Sequence, residues 1–438
     1  MDNLVVCKFG GSVLAKPEDI AKINYIVQDN KDRKIIVVSA PGKRSPSDVK
    51  VTSLLKELTK NKDESLKAQI LDRYRSLWPS ADLDELAELL EYRLSQNLSG
   101  EEYLASVKSF GEDASARVIA KAIGADLIDP RDLFLLSSDY SKAKIFKESE
   151  DMIRKSFTDI KSMVIVPGFY GYTREGKIAT FDKGGSDLTA AYIAAALNAD
   201  IYENFKETDG IYAASPGLIA NPRKIDVLTF NELRDLAYSG FDVFFDEAIN
   251  PVRKKKIPVH VRNMFTYPSE GTLIVTDRLS DPERPIVGVA YKGGLCAFNY
   301  VCFGLNSMYG IGKKMLQIFE DEKVSVEFIT TGIDDMSVIF REEQIAAPNK
   351  IDRIIKKLDS LTEDPVTEFQ DNLGSLVVAG KGLKGNRGLA ANIQGTLADA
   401  NVNIRFISTG PLERCIVYGI DHSDCKKAVF AVYNRYLI

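Results

Sequence analysis

The chain runs to 438 residues, 45% of them hydrophobic and 27% charged, and its 57 Lys plus Arg against 62 Asp plus Glu leave a formal net charge of -5. Such a length suits about three domains with packed cores. Near-balanced charge with no long basic run excludes the electrostatic footprint of a nucleic-acid or membrane-surface binder, so small-molecule chemistry is the expected class.

The first residues, Met1-Asp2-Asn3-Leu4, carry no basic segment leading into an apolar core, and no apolar run approaches the ~18 residues of a membrane span, so a cytoplasmic protein is expected. Cys7, Cys296, Cys302, Cys415 and Cys425 are scattered, without a CxxC pair, and read as reduced thiols. His260 and His422 are the only histidines, so a histidine triad or a His-rich metal site is not expected, and no metal ligands are assigned.

In chain order, Val5-Val6-Cys7-Lys8-Phe9 reads as a strand, Gly10-Gly11-Ser12 as a turn, and Pro17 starts a helix with Ile20, Ile23 and Val27 at helical spacing. Strand, glycine turn and helix make a phosphate cradle without Walker A spacing, and Lys8 at the strand end can reach phosphates over the turn. Residues 34 to 39 form a second buried strand whose end, Ser39, and the later Thr52 would edge a site in a mainly parallel α/β sheet. Helical periodicity fills 63 to 123, with Trp78 between helices; Glu112 reads as an acid opening a helix, where it pairs with the helix dipole.

Val164 to Phe169 is a further buried strand, followed by Asp182-Lys183-Gly184-Gly185-Ser186-Asp187 and an Ala/Leu helix to Leu197. Ser186 or Asp187 can cap that helix, and the glycines let an anion approach its positive end. Asp200 to Phe205 is a strand and Lys206 to Tyr212 its polar turn; helices around 230–239 and 246–255 and strands at 257–262 and 272–276 follow. Asp277 to Pro285, rich in charge and proline, is a linker.

Beyond it lies an internal repeat at a constant offset of 78 residues. Gly310/Gly388, Asp321/Asp399, Val324/Val402, Phe328/Phe406, Ile329/Ile407, Thr331/Thr409 and Gly332/Gly410 are identical without gaps. A small βαββαβ unit used twice is expected, as a regulatory or dimerising module. Gly380-Lys381-Gly382-Leu383-Lys384-Gly385 matches GxGxxG, but about 20 residues on stands Arg405 instead of an acid, so dinucleotide binding is not expected.

Lys8-Phe9-Gly10-Gly11-Ser12, Gly111-Glu112, Gly168-Phe169, Lys183-Gly184-Gly185-Ser186-Asp187, Asp209-Gly210-Ile211-Tyr212, Ile257-Pro258-Val259 and the tandem repeat, in that order, resemble the aspartokinases of the amino acid kinase family with C-terminal ACT units. The resemblance implies an amino acid kinase-like three-layer α/β domain over 1–280, then ferredoxin-like ACT units at 286–370 and 371–438. It implies transfer of the γ-phosphoryl group of MgATP to the β-carboxylate of L-aspartate, giving 4-phospho-L-aspartate, the first step toward lysine, threonine and methionine. A carboxylate nucleophile is already ionised at neutral pH, so positioning and charge neutralisation suffice.

By the same resemblance, Lys8, Lys183 and Asp187 are catalytic, and Ser39, Thr52, Glu112, Lys183 and Ser186 bind aspartate, Glu112 through the substrate ammonium. Lys8, Gly10, Gly11, Ser12, Glu207 and Tyr212 hold the nucleotide. An amino-acid effector such as lysine or threonine would sit near Met308, Gly312, Ser325 and Glu327, and the ACT units would build a homodimer or tetramer. Several positions depart from the family pattern: Lys183 stands for an arginine that grips the α-carboxylate, Asp182 for a small or neutral residue, Lys206-Glu207 for Thr-Asp, and Asp242 for a frequent lysine. Two alternatives stay open: an ACT-bearing regulatory protein that binds ligand with little or no turnover, and a same-fold kinase for another acid such as glutamate.

Overall fold

The structure, a computed structural model, describes residues 3–61, 63–158, 160–182, 184–238, 246–410 and 412–438. They form two compact units: the described residues within 1–211, 224–230 and 243–278 make the first, and those within 212–223, 231–242 and 279–438 the second. Two stretches numbered inside the expected 1–280 domain, 212–223 and 231–238, therefore cluster with the C-terminal residues.

The first unit is built on an eight-stranded sheet. Its strands are β1 (Val5–Phe9), β2 (Arg33–Val38), β3 (Asp126–Leu127), β4 (Val164–Pro167), β5 (Ile201–Lys206), β6 (Val227–Thr229), β7 (Val259–Asn263) and β8 (Thr272–Val275), in the spatial order β6-β8-β7-β5-β1-β2-β4-β3. Only the β7–β8 pair is antiparallel. β1 is buried along its whole length, and its alternation decides what it touches. Val5, Cys7 and Phe9 join a core supplied by helices α1 (Pro17–Gln28), α2 (Val51–Asn61) and α3 (Gly100–Ile123) and by helices Glu64–Leu77 and Leu83–Ser95 between them. Lys8 points the other way, toward helix α4 (Gly185–Leu197). The result is a three-layer domain with its sheet in the middle.

Parallel pairing aligns the strand ends: Phe9 lies opposite Val38 and Phe205, and Val38 opposite Pro167. The loops after β1, β2, β4 and β5 therefore gather at one edge of the sheet, where ligands of open α/β sheets bind. Deeper in the sheet, Glu203 of β5 is held by Arg33 of β2 at 2.6 Å and Arg262 of β7 at 3.0 Å, all three largely out of water. A charge in the middle of a buried strand is tolerated because its two partners are built in beside it.

The second unit carries a six-stranded antiparallel sheet of β9 (Gly288–Val301), β10 (Val326–Thr331), β11 (Asp335–Arg341), β12 (Val366–Ala379), β13 (Ile404–Thr409) and β14 (Cys415–Asp421), ordered β10-β11-β9-β12-β14-β13. Its helices are α5 (Ile311–Asp321), α6 (Lys350–Asp359), α7 (Leu389–Asp399) and α8 (Cys425–Tyr436). The 78-residue repeat is visible residue by residue. Gly310 and Gly388 are left-handed caps of α5 and α7 with φ 75° and 84°, Lys323 and Asn401 share a positive φ of 53°, and β10 and β13 begin at Val326 and Ile404.

The two copies share their long strands. Residues 295–301 of β9 pair with β11 and with the first half of β12, whereas residues 288–292 pair with 375–379 of β12. The start of β9 thus supplies the closing strand of the second copy, which explains how that copy ends on α8 with its sheet complete. Phe328 of β10 and Phe406 of β13 approach to 5.7 Å, so the edge strands curl toward each other. In the GxGxxG stretch, ideal Cβ atoms on Gly380 and Gly382 would each lie 2.3 Å from Pro285 backbone atoms, so these glycines admit a neighbouring chain segment. No helix among the described residues is long and apolar enough to cross a membrane.

Candidate active site

Lys8, buried to 6% exposure, is the penultimate residue of β1, two positions before the first glycine of the turn. An ideal Cβ on Gly10 would lie 3.2 Å from its Nζ, so the ammonium sits over the turn. Gly11–Val13 tighten into a 3-10 turn. Behind it the loop after β2 closes in: Gly42 N–H donates to the Gly11 carbonyl at 2.7 Å, and a Cβ on Gly42 would stand 2.2 Å from that oxygen. Two glycines are needed because two backbones touch. Ser12 Oγ donates to the Glu207 carboxylate, joining the turn after β1 to the turn after β5.

The opposite wall is the start of α4. Its cap is Gly184, left-handed at φ 73°, and the helix begins at Gly185. This corrects the expectation that Ser186 or Asp187 caps it: both lie inside the first turn, buried, and the aliphatic run is helical two residues earlier than its capping pattern suggests. Asp187 meets Lys8 at 2.7 Å and accepts from Asn204 Nδ2 at 2.8 Å. Burial opposes ionisation of that carboxyl, but Lys8 first, then Lys206 and the Asn204 amide, outweigh it and hold its pKa at about 2. Lys206 departs from the family pattern in sequence, yet in the fold its charge works on the same carboxylate as Lys8.

Glu112 lies in the middle of α3, not at a helix start. The glycine before it misled the reading: a Cβ on Gly111 would come within 2.8 Å of Ala40 Cβ, so it is a packing glycine where the loop after β2 presses on α3. The Glu112 side chain is 4% exposed, and its Oε2 has no hydrogen-bond partner among the described residues. Burial raises its pKa to about 8, against the Ala40 and Glu112 backbone N–H groups and the charges of Lys108 and Lys8. Among the described residues Lys108 and Lys8 influence this carboxyl only through space and neither forms an ion pair with it, so a cation brought by a ligand would find an open oxygen.

Ser39 follows β2 half-buried, its N–H donating to Phe9 O at 3.2 Å, and Thr52 is half-buried in the first turn of α2, next to Val51, whose Cγ1 would lie 3.9 Å from a Cβ on Gly111. Gly168 approaches Ser186 so closely that a Cβ would lie 2.7 Å from the serine Cβ. The fold therefore gathers Lys8, Gly10, Gly11, Ser12, Ser39, Thr52, Glu112, Ser186, Asp187 and Glu207 around one edge of the first unit's sheet. Lys183 and Asp242 lie outside the described residues, and Tyr212 is half-buried at the start of the second unit. Asp182, which would place a negative charge beside the anion site, is exposed and faces Lys142 at 3.9 Å. In the second unit, Met308 and Gly312 flank the start of α5, and the Ser325 backbone is bracketed by the Gln344 amide. Glu327 is already held by Lys292 at 3.0 Å and Arg341 at 2.8 Å.

Sequence reasoning passed over Asn204 and Lys108. The first is signalled by a polar Glu203-Asn204 pair within an otherwise apolar strand, the second by its position four residues before Glu112 on one helix.

The family model for the amino acid kinase family matches residues 3–263, and a model for an ACT domain matches 376–436. The chain is 34% identical to aspartokinase 3 of Bacillus subtilis over an alignment of 452 positions, covering 98% of each chain. Its fold is similar to the aspartate kinase of Clostridium acetobutylicum, at 30% identity and a TM-score of 0.85 over 99% of this chain and 100% of that one. Aspartokinase III of E. coli, solved with aspartate and ADP, shares the fold at 20% identity and a TM-score of 0.75, covering 98% and 99% of the two chains.

Proposed function

The chain belongs to the amino acid kinase family, among its aspartokinases with C-terminal ACT units, and from that premise we propose that it transfers the γ-phosphoryl group of ATP to the β-carboxylate of L-aspartate. The product is 4-phospho-L-aspartate, and the reaction opens lysine, threonine and methionine biosynthesis in the cytoplasm. The observation that carries the reading is the Lys8–Asp187 pair at 2.7 Å over the Gly10-Gly11 turn, with buried Glu112 on the neighbouring helix.

Each part has a task in that chemistry. Glu112 takes the substrate ammonium, which supplies the missing cationic partner of its carboxyl. Ser39, Thr52 and Ser186 hydrogen-bond the remainder of aspartate, and Lys183 adds charge for its α-carboxylate. Lys8, oriented by Asp187, neutralises the moving phosphoryl group while the glycine-turn N–H groups hold its neighbours. Glu207, joined to Ser12, would be the carboxylate to hold the Mg²⁺ that accompanies ATP, which when bound would supply charge neutralisation. No general base is required, because the attacking carboxylate is ionised throughout the neutral range. Tyr212 belongs to the nucleotide side of the same reading.

The ACT units bind an amino-acid effector such as lysine or threonine and join copies into a dimer or tetramer. Glu327 is already neutralised by Lys292 and Arg341, so the effector site rests on Met308, Gly312 and Ser325. The exposed edge strands β10 and β13, with Ile329 and Ile407 nearly half exposed, suit pairing between copies. The test is hydroxylamine trapping of the acyl phosphate with aspartate or glutamate as acceptor, with and without lysine and threonine. Hydroxamate formed from aspartate, and lowered by one of the two amino acids, is expected; product from glutamate alone would favour the alternative acceptor, and none from either would favour a non-catalytic sensor.

A further inference from the structure

Lys108 of α3 is half-buried one helical turn before Glu112, on the same side of the helix. Its ammonium lies 4.9 Å from the centroid of the Phe169 ring. That ring is itself fixed. Phe169 takes a left-handed φ of 77°, its N–H donates to Thr189 Oγ1 at 3.0 Å, and the ring packs against Gly185, where a Cβ would stand 2.7 Å away. Phe169 therefore holds a lysine ammonium beside the N-terminus of α4, close to the Glu112 carboxyl.

Among the described residues no carboxylate lies within ion-pair distance of Lys108; Glu112, Glu101 and Asp182 act on it only through space. Burial lowers its pKa, the mark of a cation with too little compensation. Another cation already present, Lys8, is engaged by Asp187. The fold thus maintains a part-buried ammonium and a buried, part-orphaned carboxyl as neighbours at i and i+4. An α-amino acid carries the complementary pair, a carboxylate and an ammonium on one carbon.

We propose that Lys108, positioned by the Phe169 ring, binds the α-carboxylate of the substrate and, with Glu112, selects an α-amino acid zwitterion while the distal carboxylate is directed toward Lys8. This rests on the reading of the site as an aspartate site. It assigns a specificity-determining role to a residue outside the glycine loops, and it supplies a second cation where Lys183 replaces an arginine.

The test compares calorimetric Kd values for L-aspartate and for its α-amide, which keeps the ammonium and the β-carboxylate but loses the α-carboxylate charge. Wild type should prefer aspartate by tenfold or more, Lys108→Met should shrink that preference about tenfold, and Lys108→Arg should restore most of it. Lys108→Gln gives the same readout should Lys108→Met fail to fold. An unchanged preference in the neutral variants, with both ligands weakened equally, would reduce Lys108 to a structural lysine and overturn the proposal while leaving the aspartate site standing. Absence of aspartate binding to wild type would overturn the site reading along with it.

Discussion

The most informative single residue is Glu112, whose carboxyl is buried, has one oxygen unpartnered among the described residues and has its pKa raised by burial to about 8. The sign of the linkage is fixed by the direction of the shift. The fold tolerates the protonated form, so the cost is absent below the ordinary carboxyl range and grows as pH rises toward about 8. Glu112→Gln should therefore stabilise the protein by about 1–3 kcal/mol at pH 7, measured as a higher denaturation midpoint, while raising the aspartate KM by tenfold or more. A variant that lost stability and kept its KM would remove Glu112 from the substrate site. If Glu112 pairs with the substrate ammonium, binding needs its ionised form, and kcat/KM for aspartate should climb between pH 6 and about 8; a flat profile there would contradict that pairing. Asp187 behaves oppositely: held at about 2, it stays charged through the working range, and its contribution to stability is lost only as pH falls below the ordinary carboxyl range toward 2.

Among the elements, the glycine turn after β1 and the loop after β2 form one device, because each backbone occupies the space a side chain would need on the other. Gly42→Ala places a methyl 2.2 Å from the Gly11 carbonyl oxygen and should cost about 2–4 kcal/mol of stability together with most of the activity; a near-neutral melting curve would show that the loop has room to retreat. This scale also marks where sequence stops being legible. Val5 to Phe9, the helix from Pro17 and the repeat at offset 78 were readable because periodicity and glycine caps are local signals. The mid-helix position of Glu112 was not, because Gly111 looks like a break until Ala40, distant in sequence, is seen to fill the space of its side chain. Gly184 displaced Ser186 and Asp187 as cap for a related reason: the two polar side chains face inward, Asp187 onto Lys8, and that commitment is tertiary. Asn204 and Lys206 acquired meaning only when parallel pairing set β5 beside β1.

For the whole molecule, the sharing of β9 and β12 between the two ACT copies makes the second unit's sheet one continuous structure whose outermost strands are β10 and β13, with Ile329 and Ile407 partly exposed. If those edges join copies, wild type should sediment as a dimer or tetramer, and Ile329→Lys with Ile407→Lys should shift it toward monomer and blunt any response to lysine or threonine; a monomeric wild type would refute the assembly. Phosphoryl transfer over the Lys8 glycine turn is read out by the rate of aspartyl hydroxamate formation at saturating ATP and aspartate by wild type and by Lys8→Ala. Loss of one preorganised charge at the transferred group should lower kcat by about 10²–10³-fold or more; a Lys8→Ala enzyme within tenfold of wild type would contradict it.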